Sequence, residues 1–134
     1  MTKPIFMSQD HVDRMNKLLD GAATVEAACA RLDRNYSMTY EVLDGPNGTE
    51  YWTLRFDRET GASFTLEQPA HTDVTMVVEW TETMRYIKAA VNGEEQGDRN
   101  ILEVRGDESV VDRVDEAFKA AHDVSLIPAE IPDV

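Results

Sequence analysis

The side chains best suited to catalysis or metal binding in this sequence are three histidines, one cysteine and a large excess of carboxylates. His11, His71 and His122 are far apart along the chain, so a histidine-centred site would need the fold to gather them. His71 and Asp73 flank a single residue, a spacing two metal ligands can use, but a turn histidine beside a strand-start aspartate is the ordinary reading. Glu79 and Glu82 stand for many such pairs, and among 26 Asp and Glu residues one pair carries no weight as a general acid and base. Cys29, set between Ala28 and Ala30 in a helical pattern, reads as a small buried residue rather than a nucleophile. As the only cysteine it excludes an intramolecular disulfide. A Gly-rich phosphate loop, a Gly-x-Ser-x-Gly elbow, a cysteine pair and a His-Glu-x-x-His helix are all missing from the sequence. The expectation is a chain with no catalytic residues, no metal and no cofactor.

What stands out instead is the apolar set. Methionines and aromatics such as Met15, Trp52, Phe64, Met76, Trp80 and Phe118 fall on the inward faces of the elements they occupy. Methionine adapts to irregular spaces, and aromatic walls suit flat or extended apolar ligands. By composition alone that set reads as a plain core, since an α+β domain of this size needs one.

The elements that position it follow from periodicity. Ser8 is a good N-cap, and Val12, Met15, Leu18 and Leu19 recur at helical spacing after it. Gly21 interrupts and Val25, Ala28 and Leu32 resume, which predicts two short helices or one kinked helix within 8–33. Tyr36, Met38, Tyr40 and Val42 then alternate with polar residues, and Asp44-Gly45-Pro46-Asn47-Gly48 is dense turn chemistry. Trp52, Leu54 and Phe56 face one way on a second strand spanning 51–56. Ala62, Phe64 and Leu66 continue on a third, completing a meander. Val74, Met76, Val78 and Trp80 alternate on a fourth strand, with Thr81 placed to cap a helix carrying Met84 and Ile87 as far as Asn92-Gly93. Ile101, Leu102 and Val104 make a short fifth strand closing on Gly106-Asp107. Val110, Val114, Phe118 and Ala121 stripe a last helix, and a tail over 123–134 punctuated by Pro128 and Pro132 either packs back on the domain or is disordered. Five strands with helices on their shared apolar face make an α+β layer, a five-stranded, mostly antiparallel sheet within a single domain over 1–134.

The order strand, helix, connection, strand, turn and helix over 72–107 resembles the sterol carrier protein 2 (SCP2) family. The likeness rests on Ala70 to Trp80, Met84 to Gly93 and Leu102 to Asp107, and it extends over about 36–122 through the hairpin YWTLRFDRETGASFTLE and VVDRVDEAFKAAH. It implies a strand order of 3-2-1-4-5 and a tunnel between sheet and helices for a fatty acyl chain, a sterol-like molecule or another lipid. With that implication the apolar set reads as a ligand lining, with Met15, Leu19, Trp52, Met76, Ile87 and Phe118 as candidate ligand-binding residues. Hiding about 300 Å² of apolar ligand would yield roughly 7 kcal/mol before ordering costs, with no catalytic group required. The sequence departs from the family between Gly93 and Asn100, where the connection is short, and in ending Ile-Pro-Asp-Val rather than with a peroxisomal signal.

A formal net charge of −13 argues against nucleic acid or an anionic membrane as a lasting electrostatic partner. It reads as a solvated, solubilising surface. The alternative is an acidic face, built from clusters such as Glu94-Glu95 and Asp115-Glu116, that docks a basic protein on a domain whose cavity is filled. The sequence shows neither a secretory leader nor an apolar run of membrane-spanning length, so the expected location is the cytoplasm, without stable membrane insertion.

Overall fold

The computed structural model describes residues 3–95 and 101–132. The short connection after Gly93 therefore lies largely outside the described residues. Helices α1 (Gln9–Leu19) and α2 (Ala23–Ala30) precede strands β1 (Tyr36–Gly45), β2 (Gly48–Asp57), β3 (Gly61–Thr65) and β4 (Val74–Glu79). Helix α3 (Trp80–Val91), strand β5 (Ile101–Gly106) and helices α4 (Ser109–Arg113) and α5 (Asp115–Ser125) complete the chain. The five strands form one sheet in the order β3-β2-β1-β4-β5, antiparallel except for the parallel pair β1 and β4.

Register turns the alternation into a single buried face. Trp52 pairs with Tyr40, Tyr40 with Met76 and Met76 with Val104, while one step along the strands Leu54, Met38 and Val74 align in the same way. These residues share the face onto which all the helices pack. On the opposite face Thr65, Thr53, Thr39 and Thr75 form a row across four strands. Thr39 and Thr53 are nonetheless buried, their hydroxyls 3.0 Å apart, and Thr39 donates to Thr72 at 2.9 Å. The segment from β3 to β4 thus ends its crossing against the helix-free face, sealing two hydroxyls that would otherwise face water.

Helix boundaries follow local chemistry in some places and packing in others. Ser8 caps α1 as its type predicts, accepting from the His11 N–H at 3.3 Å. Gly21, at φ +74, separates α1 from α2. Helix α3 starts at Trp80, two residues earlier than a Thr81 cap predicts, behind Glu79, which makes no side-chain cap. Packing decides this start: Trp80 leaves the β4 ladder to meet Trp52 edge-on, with ring centroids 6.3 Å apart. The last apolar stripe is divided at Val114 (φ −96, ψ 3) into α4 and α5, with Val110 and Val114 both in the core.

The pattern that carries the family resemblance is a structural bolt. The Asp73 carboxylate accepts from the Ser37 N–H at 2.8 Å and from Arg34 at 3.1 Å, tying the start of β4 to β1. Its backbone carbonyl accepts from the Asp107 N–H at 2.9 Å. A Cβ on Gly106, at φ +85, would lie 2.5 Å from that carbonyl oxygen. Burial pushes the Asp73 carboxyl up, but the Ser37 hydrogen bond and the Arg34 charge outweigh it and hold it below the usual carboxylate range.

Candidate functional site

The six residues read from sequence come from both layers of the fold. Met15 and Leu19 lie on α1, Trp52 on β2 and Met76 on β4, each at most 5% exposed. Ile87 on α3 and Phe118 on α5 are partly buried against the same core. Trp52 and Met76 flank Tyr40 in one row of the sheet, and Leu19 belongs to the same apolar cluster. Sheet and helices therefore share a continuous layer rich in methionine and aromatic rings.

Sequence reasoning missed how that layer is closed between α1 and α3. The two chain termini do it together: Ile5 and Glu130 form a parallel bridge, with Phe6 N–H donating to the Glu130 carbonyl and Glu130 N–H to the Pro4 carbonyl, both at 2.8 Å. Phe6 from this ribbon meets Trp52 edge-on with centroids 5.7 Å apart, and it also lies 5.5 Å from the His11 ring. Ile131 packs against the core from the other strand of the ribbon. A pairing of residues at opposite ends of the chain has no local signature. The apolar dipeptide Ile5-Phe6 between Pro4 and the Ser8 cap, and a C-terminal tail able to pack back on the domain, were the hints available.

His11 holds the ribbon in place. Its Nδ1 accepts from the Met7 N–H at 2.9 Å, which fixes a neutral ring, and Met7 itself sits at φ +56. Burial lowers the His11 pKa, and nearby Arg14 adds to this, against the opposing pull of Asp10. A folded-state pKa below the unfolded value means that the unfolded chain takes up the proton first as pH falls. The His11 contribution is therefore complete above the ordinary histidine pKa of about 6.5 and is lost as pH drops through that value toward the lowered one. Urea midpoints measured between pH 7.5 and 5 should fall with acidity. In His11→Gln this part of the pH slope should vanish, and an unchanged slope would show that the ring is not the sensor.

The other candidates do not converge. His71 is exposed with Nε2 3.6 Å from Asp73, His122 lies beside Asp123 on the surface, and the described residues contain no group of three metal-ligating side chains. Cys29 is fully buried, and burial raises its thiol pKa, as expected of an inert cysteine. Glu50 was not read as part of β2, yet the strand extends to it. One of its carboxylate oxygens is buried without a hydrogen-bond partner among the described residues, and desolvation pushes its pKa up.

Two clefts flank the ribbon. One of about 390 Å³ separates it from α1, and one of about 440 Å³ separates it from the end of α3. Neither is lined by the six residues above. No described helix is long and apolar enough to cross a membrane.

Comparison with protein-family models and with curated protein sequences returned no match. Solved structures do match. A conserved hypothetical protein from Thermus thermophilus, described as possibly a sterol carrier protein, is similar at 14% identity over 98% of this chain and 97% of its own, with a TM-score of 0.51. A UbiJ-SCP2 ubiquinone synthesis protein matches at 19% identity over 86% and 91% of the two chains, TM-score 0.48. The sterol carrier protein domain 2 of Helicoverpa armigera matches at 21% identity over 89% and 92%, TM-score 0.43. At these identities the likeness concerns the fold: this chain has the SCP2-like α+β architecture, including the strand order that the sequence resemblance implies.

Proposed function

We propose that this chain binds or carries a hydrophobic small molecule, without catalysis, in the layer between its sheet and helices. A fatty acyl chain, a sterol-like molecule or another lipid fits that layer, with Met15, Leu19, Trp52, Met76, Ile87 and Phe118 as its walls. The SCP2-like fold supports the reading, since the Thermus thermophilus protein of that architecture is described as possibly a sterol carrier. The observation that carries it is the closure between α1 and α3. A two-strand ribbon places Phe6 over Trp52, which stands in the row with Tyr40 and Met76. Such a ribbon opens locally at far lower cost than a packed helix. Ligand admission displaces Phe6 from Trp52, and the apolar area removed from water supplies the affinity. Selectivity is loose, because one methylene more or less changes binding little.

Organic extraction of the purified protein followed by mass spectrometry should recover a lipid, and a fluorescent fatty acid should bind with saturation. A lipid-free preparation that also ignores the fluorescent probe over a broad concentration range sinks the reading. A second reading is favoured by the position of the two clefts, both outside the apolar layer. In it the interior is filled, and the acidic surface of a chain with net charge −13 docks a basic protein. Recovery of a partner at low salt and its loss at high salt, with no lipid found, would select it.

A further inference from the structure

We infer that the cleft between the terminal ribbon and α1 is a second binding site, for a single-chain amphiphile with a carboxylate head. The inference starts from charge. The chain carries 26 carboxylates against 13 lysines and arginines, yet the described lining of this cleft includes Lys3, Arg14 and Lys17 and no carboxylate. Arg14 is bridged to Asp10 at 3.1 Å, one turn back along α1, which leaves the net positive charge to Lys3 and Lys17. Neither of these lysines has an ion-pair partner among the described residues.

Between the cations the walls are apolar, formed by Pro4, Leu18, Ile127 and Pro128. Leu18 is 44% exposed, although it sits on a helix whose other large apolar residues, Val12, Met15 and Leu19, are buried. At about 390 Å³ the space falls in the range of small-molecule sites, roughly 300–1,000 Å³. An apolar trough under a cationic rim rejects neutral polar solutes, which gain nothing from the walls. It also rejects small inorganic anions, whose attraction to exposed lysines is weak and screened. A molecule with both an apolar chain and one negative head meets both demands. The neighbouring cleft beside α3 shares Lys3 but includes Glu130 in its lining, so its rim is of mixed sign. This site is separate from the interior layer, and either can exist without the other.

The test uses the full chain and decanoate below its micelle concentration, with 1-decanol as the neutral control, read by methyl and indole NMR. Decanoate should shift the Leu18 and Ile127 methyl resonances with saturation. Lys3→Gln/Lys17→Gln, two surface changes that leave the fold intact, should weaken that binding by about tenfold. Raising salt should weaken it in the native chain and have little effect in the double variant. Unmoved Leu18 and Ile127 signals, equal affinity of the cleft for decanoate and decanol, or a double variant that binds as the native chain does would each overturn the proposal. The Trp52 indole signal reports the interior separately. Its movement without Leu18 supports the interior reading and refutes this one, while movement of Leu18 alone does the reverse.

Discussion

Gly106→Ala should cost about 2–5 kcal/mol of folding stability, seen as a lower urea midpoint at unchanged m-value. Two effects add. The backbone there lies at φ +85, in the left-handed region where a Cβ costs roughly 1–2 kcal/mol. The added carbon would also stand 2.5 Å from the Asp73 carbonyl oxygen, which belongs to backbone and cannot swing aside. Overpacking of that kind costs about 1–3 kcal/mol more. The obstructed carbonyl is the acceptor for the Asp107 N–H, and Val74 pairs with Gly106 in the β4 and β5 ladder, so relief by backbone movement breaks the bolt itself. Gly21→Ala is the internal control: its φ is +74, but a Cβ there meets nothing within 4 Å, so it should lose only the conformational part. Equal losses for the two variants would show that the close approach to Asp73 is not what reserves position 106 for glycine.

This bolt explains why the fold was legible where the function was not. The aspartate before β4 and the glycine that ends β5 are required by one carbonyl and one carboxylate that hold three strands together, whatever the domain binds. Their presence transfers an architecture and nothing chemical. Alternation over 36–42 and 74–80 fixed the buried face, because a sheet covered on one side tolerates no register slip. The Ser8 cap and the Gly21 break were equally readable, since each satisfies a backbone demand within a few residues. Trp80 was not readable as the start of α3, nor Val114 as a break, because packing against residues distant in sequence decides both. The ribbon is the extreme case. Pro4 and Glu130 lie at opposite ends of the chain, and His11 looked like an isolated histidine until its acceptor nitrogen was seen to hold Met7. The candidate lining was legible as an apolar face, whereas the way it is closed depends on contacts that no local pattern encodes.

Trp52→Ala is the change expected to connect packing with function. Trp52 is only 5% exposed, touches Phe6 and Trp80 through edge-on ring contacts, and stands in the row with Tyr40 and Met76. Its truncation should cost about 3–5 kcal/mol, the usual figure for emptying a large aromatic site in a core. The hole would be apolar and dry, and such holes accept small aromatic guests. Indole at about 100 times its dissociation constant should therefore return about 2.7 kcal/mol to the variant, read as a raised urea midpoint. Rescue requires that indole pass the ribbon, because Phe6 is the ring that covers Trp52 from that side. Its rate should then rise when the ribbon is loosened, as by His11→Leu, which leaves no side-chain acceptor at position 11 for the Met7 N–H. A variant that is destabilised as expected yet gains nothing from indole would mean that the layer is sealed on the timescale of binding. The carrier reading could not survive that result, since any lipid would need the same path.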